Sequence, residues 1–491
     1  MLILFIAFAL RLILVLQPEV IHNDGIEYVR HAKEVLAGNW TGGKSSPLYP
    51  ALIALAYALV KNFELAGIWV SVIFGALLVL PVFYLGKTIF NEKVGIISAL
   101  VASVHPFLYM HSGSVLTESI YHFFIATSVL FGWYAFSKRG FYQVLLFSLF
   151  TSLAFLTRPE AIGFLFIFSV WMFIVNPPQE RRNWIERVAV ILVAIFAFLV
   201  FSSPYLLAIR KETGKWSISK KVEVSIGSGS EEIDETPLKK GKVWRHGLSL
   251  VSLIKYPLSL LTIVGTGLLD SIYKFQQAFN PVLFLFALLG WIGIIQRRSL
   301  YSLKANFYVM SYHFFFFGLV LPFFWVSRRY TSQMVSISIP WAAFGFWVFL
   351  DWVHQRWKFV WKKERFVTIL LVILLMVFFT QGRVIHTREH RGIQKEAGLW
   401  MKDHLPRGVK IMSRMPQEAF YAELPWILFP KNSYEEVLRV ARLNGVQYLI
   451  LNEDIEEDSP GFLGKMKEED LTLLKDFKRK NQSMSIFKMF Y

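Results

Sequence analysis

Asp24, Glu27 and Glu118 are carboxylates placed where apolar runs give way to polar sequence, and lysine, arginine and tyrosine residues recur in the same setting. The first group is His22-Asn23-Asp24-Gly25-Ile26-Glu27-Tyr28. It follows a run, Leu2 to Leu16, that is apolar apart from Arg11. Ionisable groups at the edge of a bilayer are costly unless they serve a site or find partners. The plain alternative for this segment is a polar loop with a helix cap at Asp24. Further along come Lys44 ahead of Pro47, His105 and His111, Glu118 within Leu116-Thr117-Glu118-Ser119, Arg158 within Thr157-Arg158-Pro159-Glu160, and Arg328-Arg329-Tyr330. A guanidinium fork matches phosphate oxygens, and a carboxylate takes a proton from a hydroxyl or binds a hard metal ion. Each piece also has a structural use: Arg158 and Arg328 as interface anchors, Glu118 as a helix-terminal charge, the two histidines as packing groups. Their recurrence at the same ends of several apolar runs favours a site for an anionic substrate.

The elements that must position these groups are membrane helices. The chain has 491 residues, 55% of them hydrophobic, with a mean hydropathy of +0.45, which defines an integral membrane protein rather than a string of soluble domains. About eleven apolar runs near the length a bilayer requires are expected, around 2–16, 64–86, 94–110, 119–136, 142–157, 161–176, 188–208, 280–295, 305–325, 334–352 and 366–382. The apolar stretch at 47–60 reads as a helix lying in the interface. The first run lacks a small-residue cleavage site and reads as a retained anchor. Alternate loops, from Lys87 and Lys93 to the cluster at 356–365, carry fifteen basic residues. The opposite loops carry seven, leaving out the long 209–279 connection. The positive-inside rule then puts the amino terminus in the cytoplasm and Asp24 outside. The net charge of +17 is explained by this orientation, so no nucleic-acid partner is inferred. With no cysteine, any metal must be held by oxygen or imidazole.

Two regions lie outside this pattern. In the 209–279 connection, Gly227-Ser228-Gly229-Ser230-Glu231-Glu232 reads as a mobile loop, and Leu248 to Leu269 as a segment on the membrane or a partial span. Residues 383–491 read as a small extracytoplasmic α/β domain, separate from a membrane domain at 1–382. It has helices at 391–404 and 433–443 and strands at 408–412, 446–451 and 484–490. No dinucleotide-type glycine fingerprint follows either of its first two strands.

Taken in order, Asp24-Gly25-Ile26-Glu27-Tyr28, Ser46-Pro47-Leu48-Tyr49-Pro50, Leu116-Thr117-Glu118-Ser119, Leu156-Thr157-Arg158-Pro159-Glu160 and Arg328-Arg329-Tyr330 resemble motifs of the GT-C membrane glycosyltransferases. The likeness is to the glycosyltransferase family 39 type, which includes protein O-mannosyltransferases and is similar to the lipid A aminoarabinose transferase. It covers roughly residues 1–382, and the last domain is similar to tails of prokaryotic members. The resemblance implies transfer of a monosaccharide from a polyprenyl-phosphate donor to an acceptor hydroxyl on the outer face of the plasma membrane, usually with inversion. The acceptor would be a protein, lipid or glycan. The family's first-loop acid falls on Asp24 and its second-loop acid on Glu118. The chain departs from the pattern where Gly25 follows Asp24, with the second acid at Glu27, and where the lysine before the proline is displaced to Lys44.

Together these readings give an expected division of labour. Asp24, supported by Glu27, is the base. Asp24 and Glu118 are candidate ligands of a divalent cation of the Mg or Mn type. Arg158, Arg329, Tyr330 and Lys44 are candidate holders of the donor phosphate. A transporter or flippase of lipid-linked glycans is the alternative, and it would favour midplane charges and internal repeats. A membrane anchor presenting the outward domain is the third reading.

Overall fold

The computed structural model describes the chain except for residues 17–19, 40–42, 44, 139, 176–182, 221–256, 298–299, 324–325, 358–362, 387–391, 431–432, 454, 456–460, 468, 480–481 and 491. The expected loop at 227–232 and Lys44 lie outside the described residues. The chain divides into two compact units. One holds Met1–Gln17 and Tyr28–Val384, and the other holds Pro18–Glu27 and Ile385–Tyr491.

The first unit is a polytopic bundle of helices. Four are long and apolar enough to cross a bilayer: Phe63–Ile89, Glu118–Ser137, Trp184–Thr213 and Arg328–Arg356. Two further pairs pass the same test but are bent. Glu92–Val104 and Pro106–Ser112 meet at 52°, and Val264–Phe279 and Pro281–Gln296 at 111°. Proline at the joint explains both bends, since its ring and missing N–H interrupt the helical ladder. The described residues therefore give four to six spans, which corrects the expected eleven. The difference has a physical reason. Leu2–Leu16, Phe141–Phe155 and Ile162–Ile174 hold only 15, 15 and 13 residues. At ~1.5 Å per residue each falls short of a hydrocarbon layer of about 30 Å. The helix Leu48–Val60 is likewise a short apolar element.

Close approach holds the bundle together. Gly290 and Gly345 face each other across the helices Pro281–Arg297 and Val335–Trp357, and a methyl group at either would strike the other helix's backbone. Small residues at such a contact let dispersion act over the whole helix length, which matters where lipid removes the hydrophobic drive between helices. Arg11 is fully buried in the first helix, where an unpaired charge would be untenable. Its guanidinium donates to Ser112 Oγ at 3.0 Å and to the carbonyls of Ala7, Ser103 and Ala102 at 3.1, 2.8 and 3.3 Å. The structure uses carbonyl oxygens, freed in part by the break before Pro106.

The second unit is a five-stranded mixed sheet with helices. The strands are β1 (Lys410–Ser413), β2 (Trp426–Leu428), β3 (Val446–Asn452), β4 (Leu471–Arg479) and β5 (Gln482–Met489). Their order is β2-β1-β3-β5-β4. β1 runs parallel to β2 and β3, while β5 is antiparallel to β3 and β4. One face packs Val437 and Ala441 of the helix Tyr434–Asn444 against Met412, Leu449 and Leu451. The other packs Ile393, Ala397 and Met401 of the helix Gly392–His404 against Ile411, Ile450 and Ile486. Burial on both faces explains the unbroken apolar run of β3.

Candidate active site

Within the membrane unit three of the singled-out motifs are wired together by hydrogen bonds. The Leu48 N–H donates to the Leu156 carbonyl at 3.0 Å, tying Ser46-Pro47-Leu48-Tyr49-Pro50 to the loop that carries Arg158. Tyr49 is buried, its hydroxyl donating to the Gly67 carbonyl at 3.1 Å and sharing a hydrogen bond of 2.9 Å with Ser71 Oγ. Ser71 in turn donates to the Ser114 carbonyl at 2.9 Å, just ahead of Glu118. Buried polar groups satisfied in this way rigidify the loops they join.

Those loops bring Glu118, Arg158 and Arg329 into one cluster. Glu118 opens the helix Glu118–Ser137, where a negative charge is favoured by the helix dipole. Arg158 precedes the short turn Pro159–Ala161 in extended conformation, and Arg329 lies in the single-turn helix Arg328–Thr331 capped by Ser327. Their side chains are 1%, 12% and 32% exposed in that order. Arg329 Nε donates to Glu118 Oε1, and Arg158 Nη1 reaches the same oxygen at 3.5 Å. Arg158 Nε also donates to Glu160 Oε1 at 2.7 Å. Its guanidinium lies over the Tyr121 ring at 5.3 Å and the Tyr330 ring at 5.1 Å, and so touches both aromatics. Burial works against the Arg158 charge, but Glu160 and then Glu118 outweigh it and hold its pKa above the ordinary arginine value. Arg158 is therefore held as a cation, and its Nη2 takes no part in these two carboxylate bonds.

Tyr121 and Glu160 carry this arrangement and were not assigned roles from sequence. Tyr121 stands three residues after Glu118, one turn along the same helix face, which was the available signal. Its hydroxyl donates to Gln333 Oε1 at 3.2 Å. His105 shares a hydrogen bond of 3.2 Å with the Phe279 carbonyl, so it packs rather than ligates. His111 stacks edge-on to Phe107 at 4.3 Å. Arg328 is exposed.

Asp24 and Glu27 belong to the other compact unit. They stand in the first turns of the helix Asn23–Leu36, Asp24 half-buried and Glu27 exposed. Glu118 is flanked by two guanidinium groups, surroundings that suit an anion better than a second cation. Among the described residues no group of three or more histidine, aspartate or glutamate side chains could hold a metal ion. The neighbourhood of Glu118 does not fit a divalent cation, and no step below is routed through one.

A family model described as dolichyl-phosphate-mannose-protein mannosyltransferase matches residues 44–207, a segment that contains Tyr49, Glu118 and Arg158. No curated protein matches by sequence. Among solved structures, the oligosaccharyltransferase of Archaeoglobus fulgidus in its apo form is similar at 12% identity and a TM-score of 0.56, over 96% of this chain and 72% of that one. The same enzyme has also been seen in complex with Zn and sulfate. ArnT from Cupriavidus metallidurans, bound to undecaprenyl phosphate, is similar at 10% identity and a TM-score of 0.60, over 99% of this chain and 97% of that one. The chain thus shares the fold of these two membrane proteins. At such identities the likeness is one of fold.

Proposed function

We propose that this protein transfers a monosaccharide from a polyprenyl-phosphate donor to an acceptor hydroxyl at the extracytoplasmic face of the membrane, with inversion. The observation that carries the reading is the pair of guanidinium groups, Arg158 and Arg329, converging on the buried Glu118 Oε1. Glu118 holds both forks in place, and the Tyr121 and Tyr330 rings hold the Arg158 plane. Such preorganised cations stabilise charge as it develops, without reorganising at the moment of reaction.

In the reaction, the acceptor oxygen attacks the anomeric carbon as the bond from that carbon to the phosphate oxygen breaks. The bonding pair leaves with the polyprenyl phosphate, where Arg158, Arg329 and the Tyr330 hydroxyl meet the added charge. The acceptor proton passes to the Asp24 carboxylate, with Glu27 as its supporting neighbour. Inversion follows from a single displacement. One solved structure of this fold supports a lipid-phosphate donor through its bound undecaprenyl phosphate. The positive-inside count supports the outward placement of Asp24.

The test uses purified protein in nanodiscs with radiolabelled polyprenyl-phosphate hexoses and pentoses, and peptide, lipid and glycan acceptors in turn. Label moving from the lipid phase onto an acceptor hydroxyl, with release of polyprenyl phosphate, is the expected result. Donor that crosses a vesicle bilayer without transfer would establish the flippase reading instead.

A further inference from the structure

Asp24 is half-buried at the start of a helix, yet the residues that fix its approach come from the far end of the chain. Just ahead of it, Val20 and Ile21 are buried at 5% and 3% exposure in a chain segment with no regular structure of its own. The Ile21 N–H donates to the Tyr421 hydroxyl at 2.9 Å. The Gln417 amide donates from Nε2 to the Ile21 carbonyl at 3.2 Å and also to Asn23 Oδ1. Both backbone groups of Ile21 and the side chain of Asn23, next to Asp24, are therefore held by one short helix, Gln417–Ala422. The helix of Asp24 starts at this point, where the Ile26 N–H donates to the His22 carbonyl at 3.0 Å.

The holding helix is itself immobilised. Gln417 is 1% exposed and Tyr421 6%, and Lys395 lies over the Tyr421 ring at 4.9 Å. At Gly398, on the helix Gly392–His404, an added Cβ would run into Tyr421 Cβ at 2.6 Å and the Glu418 carbonyl at 2.7 Å, so the two helices touch at their backbones. The chemistry also fixes which way the Gln417 amide points. Both of its contacts, the Ile21 carbonyl and Asn23 Oδ1, are acceptors as bonded here, and only the NH₂ end can donate to both.

We infer that Gln417 and Tyr421 are positioning residues for Asp24, so that the last domain fixes the entry of the chain into the helix that carries the proposed base. The inference rests on the reading of Asp24 given above. A base must sit within hydrogen-bond reach of the proton it takes, and a displacement of about 1 Å can cost ~100-fold in rate.

The test pairs two near-isosteric changes in the full-length protein. Gln417→Glu replaces the donating NH₂ by an oxygen that repels the Ile21 carbonyl, and Tyr421→Phe removes a single acceptor while keeping the ring. Hydrogen exchange at the amides of residues 21–27 is expected to accelerate in both. Turnover is expected to fall by about 10–100-fold in Gln417→Glu and less in Tyr421→Phe, with the donor KM within about twofold of wild type. In an Asp24→Asn background neither change is expected to lower the residual rate further, because residues acting through one group are not additive. Unchanged kcat in both variants, a loss confined to KM, or full additivity with Asp24→Asn would each overturn the inference. Asp24→Asn inactive with Gln417→Glu fully active sinks this inference alone, whereas full turnover in Asp24→Asn sinks the reading of Asp24 and this inference with it.

Discussion

At the scale of single residues the decisive object is Arg158, which meets two carboxylates and two aromatic rings at once. A lysine keeps the charge but offers a compact ammonium on a flexible stem, with no planar edge to lie between rings. Arg158→Lys is therefore expected to weaken donor use by about 10-fold or more in a donor titration at saturating acceptor. Wild-type donor dependence in that variant would return Arg158 to the role of an interface anchor. The sequence showed that Glu118, Arg158 and Arg329 belong to one set, because each stands where an apolar run ends. It could not show that Glu118 spends one oxygen on both arginines. That depends on three loops meeting through Tyr49, Ser71 and Leu48, contacts with no local signature. In the structure Glu118 Oε1 is paired with Arg329 and Arg158.

At the scale of elements, legibility followed burial. The helices at 392–404 and 434–444 and the strands β1, β3 and β5 were readable because both faces of β3 are covered and the helices carry an apolar stripe. β2 is three residues long, and β4 is an edge strand with seven of its nine residues exposed, so neither left a pattern to find. The helix Gln417–Ala422 was missed because six residues give less than two turns of periodicity.

That helix also carries Glu418, whose carboxyl is pushed up from 4.5 to about 8, chiefly by burial. The folded state then holds a proton that the unfolded chain has released between those two values. Stability from this group is full below pH 4.5, falls as pH rises through the window, and is lost above about 8, by an amount on the order of a few kcal/mol. Pulse proteolysis across urea is expected to place the unfolding midpoint of this unit lower at pH 8 than at pH 5.5, and Glu418→Gln is expected to flatten the difference. A midpoint that rises with pH in the wild type would contradict the burial of a neutral carboxyl.

At the scale of the whole molecule, composition sufficed for a polytopic membrane protein, and apolar length alone did not give the number of crossings. Short helices, two proline bends and a buried Arg11 break the simple correspondence between an apolar run and a span. Orientation is the claim that follows from charge. On this cysteine-free chain, single cysteines at Asn39 and Tyr448 are expected to react with an impermeant thiol reagent from outside, and one at Trp361 only after the membrane is opened. Labelling of Trp361→Cys from outside would reverse the orientation and place the proposed base on the wrong face for an outward reaction.

The central claim, a sugar transfer in which Asp24 takes the acceptor proton, meets its most direct test in the turnover of Asp24→Asn beside wild type. The assay uses purified protein in nanodiscs with a radiolabelled polyprenyl-phosphate sugar that the wild type accepts. The amide keeps the shape of the side chain and loses its basicity. Turnover is expected to fall by about 10²–10⁴-fold while donor binding, measured by retention of the labelled lipid, stays near wild type. Near-normal turnover in Asp24→Asn would contradict the account at its centre.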